Sequence, residues 1–281
     1  MKLLMHVMPW FGDGGIHRMD SYLSNDPNVV KNQINVMMTA RIYGLQVQGV
    51  IMTWQGPGAT FQHSAVQQWN TQCQQRGLLF ALLMDPWIAK INSPTGNPDL
   101  QTVINALNDP TSQAMFNSSA YVPEKFVLDF NIGVDMTALQ AQFPTLNFLA
   151  QGTGFAWPSI NMTIANSEQR NQACVTNLQT QHNNAAMKIP AVCLRFMDAG
   201  QPTPVGVNLS AWTGTRDYAT SVWGGQPSRV LDMQAGKLFF DSFNTVPGAC
   251  PYLGFVTWND FDEGTDVEAF YAMLSGIRIG S

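Results

Sequence analysis

The chain's reading turns on Tyr252-Leu253-Gly254-Phe255-Val256-Thr257-Trp258-Asn259-Asp260-Phe261-Asp262-Glu263-Gly264-Thr265. Its first six, mostly apolar residues predict a strand buried on both faces, as in a parallel sheet. The composition then flips, and three carboxylates fall within four positions, closed by a glycine. Crowded acids repel one another and resist desolvation, so stability alone gives no reason to set them at the end of a buried strand. Asp260 and Glu263 stand at i and i+3, which in a turn or helix puts both on one face with Cβ atoms ~5–6 Å apart. That separation suits two carboxylates working on one bond. The same acids would also serve as a solvated cap on a helix after Thr265, where negative charge is favourable. Spacing admits both readings, and the rest of the chain has to weigh them.

Upstream of this stretch the sequence repeats one unit, strand then helix, with no composition break that would mark a linker. Apolar runs predict strands over residues 3–8, 47–54, 78–84, 125–130, 146–150, 155–157, 189–196 and 252–258. Helices are expected from Asp26-Pro27 to about Tyr43, from about Ser64 to Arg76 with Gly77 as the stop, and over residues 98–107 and 134–142. Further helices are expected over residues 167–182, 232–243 and 267–277, and a long loop over 197–228. Eight strands alternating with helices in 281 residues predict one (β/α)8 TIM barrel spanning residues 1–281. Its weak joint is the fifth-to-sixth connection, which has almost no room for a helix. A doubly wound sheet is the structural alternative, but no GxGxxG follows any strand.

Composition excludes several classes of function. Charged residues make up 12% of the chain, about half the usual ~25%, so Asn, Gln, Ser and Thr must supply the polar surface. Only 14 Lys and Arg, a net charge of −5 and no basic run argue against nucleic acid as a partner. No run approaches ~18 apolar residues, so no membrane span is expected. Residues 1–8 resemble a leader, but His6 and Pro9 break the run and it reads better as a first strand. The compartment is therefore open: secreted or periplasmic if a signal peptide has been removed, otherwise cytoplasmic. A monomer is expected. Cys73, Cys174, Cys193 and Cys250 show no CxxC spacing and no paired histidines, so neither a metal nor another cofactor is expected. They are buried thiols or two disulfides.

In a barrel, the C-terminal strand ends share one face and carry the chemistry. Tryptophan gathers there: Trp10 after the first strand, Trp54 ending the second, Trp87 after the third, Trp157 ending the sixth and Trp258 ending the eighth. Two more, Trp212 and Trp223, lie in the long loop, and only Trp69 belongs to a helix. A lone loop tryptophan usually packs, but a ring of exposed indoles is costly unless something covers them. Sugar rings have apolar C–H faces that suit indole, while their hydroxyls need polar partners. Such partners stand at the same strand ends: His17, Asp85, Asp129 and Asn259, with His6 a weaker candidate inside the first strand. Each has a duller reading, Asp85 as a turn residue before Pro86 and His6 as a hydrogen-bonded core residue.

Trp258-Asn259-Asp260-Phe261-Asp262-Glu263-Gly264-Thr265-Asp266-Val267-Glu268 resembles the Trp-Asn-Glu-Trp-His-Glu-Gly-Thr-Gln-Ile-Glu signature of glycoside hydrolase family 99. It is also similar to the Trp-Asn-Asp-Tyr-Gly-Glu signature of family 71, the α-1,3-glucanases. Shorter similarities occur at His6-Val7-Met8-Pro9-Trp10-Phe11-Gly12, Gly49-Val50-Ile51-Met52-Thr53-Trp54, Phe155-Ala156-Trp157-Pro158 and the segment starting at Arg229. The resemblance implies a (β/α)8 barrel that cleaves an α-linked glycan of α-glucan or α-mannan type, with Asp260 and Glu263 as its catalytic pair. Aspartate at position 260 follows family 71, whereas Gly264-Thr265-Asp266-Val267-Glu268 follows family 99. Inversion through an activated water is the stereochemical expectation, because aspartate reaches less far than glutamate. The alternative reading is a carbohydrate-binding barrel without catalysis, which would need the tryptophans but no acid pair.

Overall fold

The computed structural model describes residues 2–10, 23–39, 41–42, 45–91, 93–156, 222–223, 226–227 and 250–256, together with 176, 180–181, 183–184 and 186–193. Its strands are β1 (Lys2–Val7), β2 (Arg41–Ile42), β3 (Leu45–Trp54), β4 (Leu79–Met84) and β5 (Phe126–Asp129), then β6 (Asn147–Ala150), β7 (Ala191–Cys193), β8 (Val222–Trp223), β9 (Gln226–Pro227) and β10 (Tyr252–Val256). Seven of these form one parallel path in the order β6-β5-β4-β3-β1-β10-β7. The short β2 hangs antiparallel on β3, and β8 and β9 pair as a small antiparallel ribbon inside the stretch expected as a loop.

Helices follow the strands as a parallel sheet requires. They are α1 (Pro27–Thr39), α2 (Thr60–Arg76), α3 (Leu100–Asn108), α4 (Pro110–Phe116) and α5 (Met136–Gln142). Asp26 opens α1 by accepting from the Asn28 amide at 2.7 Å, and Gly77 ends α2 in the left-handed conformation at φ 67°. Asp99 and Asp135 cap α3 and α5 in the same manner as Asp26. Sequence reading missed α4, although Asp109-Pro110 carries the same cap-then-proline start as Asp26-Pro27. The helices expected over residues 232–243 and 267–277, and most of that over 167–182, lie outside the described residues.

The closed eight-strand barrel is not what the described strands form. They make a curled, parallel half-barrel of TIM-like character whose edge strands β6 and β7 do not pair directly. Between them Phe155, the first residue of the expected sixth strand, makes one bridge to Gln151 and one to Ile189, while Trp157 lies outside the described residues. Gly152 and Gly154 turn the chain immediately after β6, so Phe155 arrives with no helix before it. Curling is visible in the contact between distant strands. The Phe126 and Tyr252 rings, on β5 and β10, meet edge to face at 6.0 Å, and the Tyr252 hydroxyl donates to Glu124 at 2.5 Å.

Alternation along the strands sorts the core into two layers. Leu4, His6, Thr53, Phe126 and Tyr252 share the concave face, as the cross-strand registers and the Phe126–Tyr252 contact require. Val50, Met52, Trp54, Phe80, Leu82 and Met84 share the opposite face, which α1, α2 and α4 cover. Close approach of β3 and β4 depends on Gly49, since a Cβ there would lie 2.5 Å from the Leu79 carbonyl oxygen. Cys73 is a buried free thiol, and Cys250 is buried as well. The Cys250 thiol donates to the Met187 carbonyl at 3.2 Å.

Candidate active site

All seven parallel strands point the same way, so one edge of the curl collects their C-terminal ends: Pro9 and Trp10, Gln55, Asp85, Phe130, Gln151 and the end of β10 at Val256. The residues expected to carry the chemistry continue from that last strand. Asp260, Glu263, Trp258 and Asn259, like His17 and Trp157, lie outside the described residues.

Just inside the edge, on the concave face, stands His6. It is buried, and loss of hydration lowers its pKa to about 3, so the ring is neutral. The Thr53 hydroxyl gives its single proton to the Met8 sulfur at 3.1 Å and must therefore accept from His6 Nε2, 2.9 Å away. The neutral ring thus carries its proton on Nε2. This cluster is a fixed polar floor beneath the strand ends, and Trp10, half-buried, follows two residues later.

Trp54 is a correction. It was expected to present a stacking wall, but it is 0% exposed. Thr53 takes the concave face, so alternation sends the next side chain outward into the helix layer. There the indole packs edge-on against Phe116 at 6.3 Å and donates from Nε1 to His63 Nδ1 at 3.0 Å. The His63 Nε2 proton is then donated to the Thr111 hydroxyl at 2.7 Å, and that hydroxyl donates to the Asp109 carboxylate. Burial lowers the His63 pKa, opposed by the negative charge of Asp109. Hydrogen bonding from Thr111, in turn, lowers the pKa of Asp109. Nothing in the sequence pattern had singled out this chain of four side chains.

Asp129 is a second correction. It shares the register row of Met84, and hence the outward face, and its carboxylate accepts from the Ile132 amide at 2.9 Å. With 6% exposure and a pKa raised chiefly by burial, it closes the turn after β5 rather than reaching for a substrate. Asp85 keeps the duller of its two readings as well. It caps the short 3-10 turn Pro86–Ala89, accepting from the Trp87 amide at 2.8 Å and from the Gln55 side chain. Burial nonetheless raises its pKa, and those two hydrogen bonds oppose the rise. Trp87, in contrast, is 55% exposed at the same edge. Among the described residues no group of three or more His, Cys, Asp or Glu could hold a metal, and no helix is long and apolar enough to cross a membrane.

No family model matches this chain, and no curated protein does. Among solved structures, a glycoside hydrolase-like protein superposes with a TM-score of 0.50 at 10% identity, covering 94% of this chain and 86% of that one. At that identity the likeness shows the fold: a parallel α/β half-barrel of the kind that protein has. It does not reach the finer assignment to family 99 or family 71.

Proposed function

We propose that the chain is a single-domain, TIM-barrel-like glycoside hydrolase acting on an α-linked polysaccharide or oligosaccharide. The observation that carries this reading is the topology of β10. It lies between β1 and β7, parallel to both, so Val256, two residues before Trp258, ends at the edge that collects the other strand ends. The glycoside hydrolase-like fold supports the same direction. In this reading Glu263 is the general acid, kept protonated by its carboxylate neighbours, and Asp260 is the base that activates a water or the sugar's 2-hydroxyl. Trp10, Trp87, Trp157 and Trp258 offer stacking faces, and His17 and Asn259 partner hydroxyls. The motif's split between the family 99 and family 71 patterns is the basis for an α-glucan or α-mannan substrate. No metal or organic cofactor takes part.

The test separates the two carboxylates. Glu263→Gln should lose most activity on natural glycans and much less on a substrate whose leaving group departs without protonation, since acid assistance is then unnecessary. Asp260→Asn should be poor on both, and Asp262→Asn should cost less than either. Products from a glycan panel are read by mass spectrometry. Rescue of Asp260→Asn but not Glu263→Gln by the activated substrate reverses the roles. A dead Asp262→Asn variant removes the pairing altogether.

A further inference from the structure

Behind the strand ends, on the helix side of the sheet, a pocket of about 250 Å³ opens between the β3–α2 loop and α3. We propose that this pocket binds a single neutral pyranose ring, as a saccharide site separate from the Asp260–Glu263 pair. Its size is the first argument, because pockets for drug-sized ligands run ~300–1,000 Å³ and this one is smaller. One ring of a glycan is the matching scale.

The accessible apolar lining is formed by Pro57, Ala106 and Ile91, with Ile88 fully buried beneath it. Gly56 lets the loop pack directly onto Ile88. Its φ is +83°, and a Cβ there would meet Ile88 at 3.0 Å and Ala106 at 3.4 Å. The rim is polar and already oriented by other bonds. Asn105 accepts from Gln101 at 2.9 Å through its carbonyl oxygen, which leaves its amide hydrogens to donate. The Thr102 hydroxyl donates to Asp99 at 2.6 Å, so its oxygen is an acceptor. Gln55 uses its amide on Asp85. Asp109 adds a carboxylate fixed by the Thr111 amide at 2.8 Å.

The rim therefore offers two acceptors, Thr102 and Asp109, and one donor set beside an apolar wall. Sugar hydroxyls donate to the acceptors, a ring or hydroxyl oxygen accepts from Asn105, and a C–H face rests on Ala106 and Pro57. Among the described residues no cationic side chain lines the pocket, so an anion such as phosphate has no partner there. A small cation would lose hydration beside the apolar wall without replacing it. Ile91 at 37% exposure, bonded through its amide to the Trp87 carbonyl at 2.9 Å, continues the apolar surface outward and gives a second sugar residue somewhere to lie.

The experiment uses the whole chain and four probes: methyl α-D-glucopyranoside, methyl α-D-mannopyranoside, inorganic phosphate and putrescine. Binding is read by saturation-transfer NMR with competition. At least one methyl glycoside should bind, and Asn105→Ala and Ala106→Leu should each weaken it about tenfold, the size of one lost charge-free hydrogen bond or a filled pocket. Asn105 is exposed, so its variant keeps the test valid even where Ala106→Leu folds poorly. The two readings stay distinct, because a chain without hydrolase activity can still show glycoside binding that depends on Asn105. Absence of glycoside binding, equal binding by parent and Asn105→Ala, or tighter binding of putrescine or phosphate overturns the proposal.

Discussion

Two neighbouring strand ends carry tryptophans of opposite fate. Trp54 is the last residue of β3 and is wholly enclosed, whereas Trp87 lies three residues beyond β4 and is more than half exposed. Residue type and approximate position are the same. What differs is the backbone state. Within a strand, alternation is obligatory, and Thr53 on the concave face commits Trp54 to the helix layer. After the strand, Asp85 captures the chain in a 3-10 turn, and alternation no longer governs where Trp87 points. A tryptophan at a strand end is thus a ligand-binding candidate only once the strand has stopped.

The most forceful way to break this comparison is Trp54→Ala. Loss of a fully buried indole, with the His63 Nδ1 acceptor left without its donor, should cost ~3–5 kcal/mol in chemical denaturation. Should Trp54→Ala melt like the parent while losing glycan binding, the assignment of the two residues would be exchanged.

Acid comes next. His6, with its pKa lowered to about 3, and His63, lowered by burial, both bind fewer protons folded than unfolded. Their contribution is fully present above pH ~6.5 and is lost as the pH falls towards the folded values, at up to about 1.4 kcal/mol per pH unit for each group. Asp85 and Asp129 act in the opposite sense. Their raised pKa values give stability that is complete below ~3.8 and disappears as the pH rises through the folded values. Between pH 7 and 4.5 the histidines lower the denaturation midpoint on acidification and the aspartates oppose them, so His63→Gln should make the fall shallower or turn it into a rise. A pH slope that His63→Gln leaves unchanged contradicts the neutral, buried state of that ring.

The smallest effect sharpens the contrast from the other side. Trp87→Ala should leave stability within ~0.5 kcal/mol of the parent by thermal melting, because the side chain is open to solvent. Any loss it shows should appear in glycan binding. A cost matching that of Trp54→Ala would mean that exposure does not distinguish the two.

The fold was largely legible in the sequence because its signals are local and strong. Apolar runs located β1, β3, β4, β5 and β10 to within a few residues, and Asp26-Pro27 and Gly77 marked helix ends correctly. What stayed hidden depends on side-chain direction and long-range closure. Trp54 and Asp129 were read from their position near a strand's end, but parity along the strand decides which face a residue serves. The sixth strand was expected over residues 155–157, and the described part of it, Phe155 bridging Gln151 and Ile189, depends on a tight turn after β6 that no apolar run announces. The hydrogen-bonded series from Trp54 to Asp109 was invisible for a further reason. Its members come from β3, α2, α4 and the residue that caps α4, spread over 57 positions, and no sequence period links them.

The pairing of β1 with β10 has a consequence for how the protein is made. Lys2 lies opposite Tyr252, so β1 gains this neighbour only after the long stretch between them has been made. β3 can join β1 early, but the other side of β1 remains an unsatisfied edge until β10 arrives. Contacts this distant in sequence slow folding, because a long loop must close before they repay its entropy. Until then the nascent chain carries an apolar, unpaired edge, and chaperone dependence and aggregation of products truncated before β10 should concentrate at Leu3–Val7.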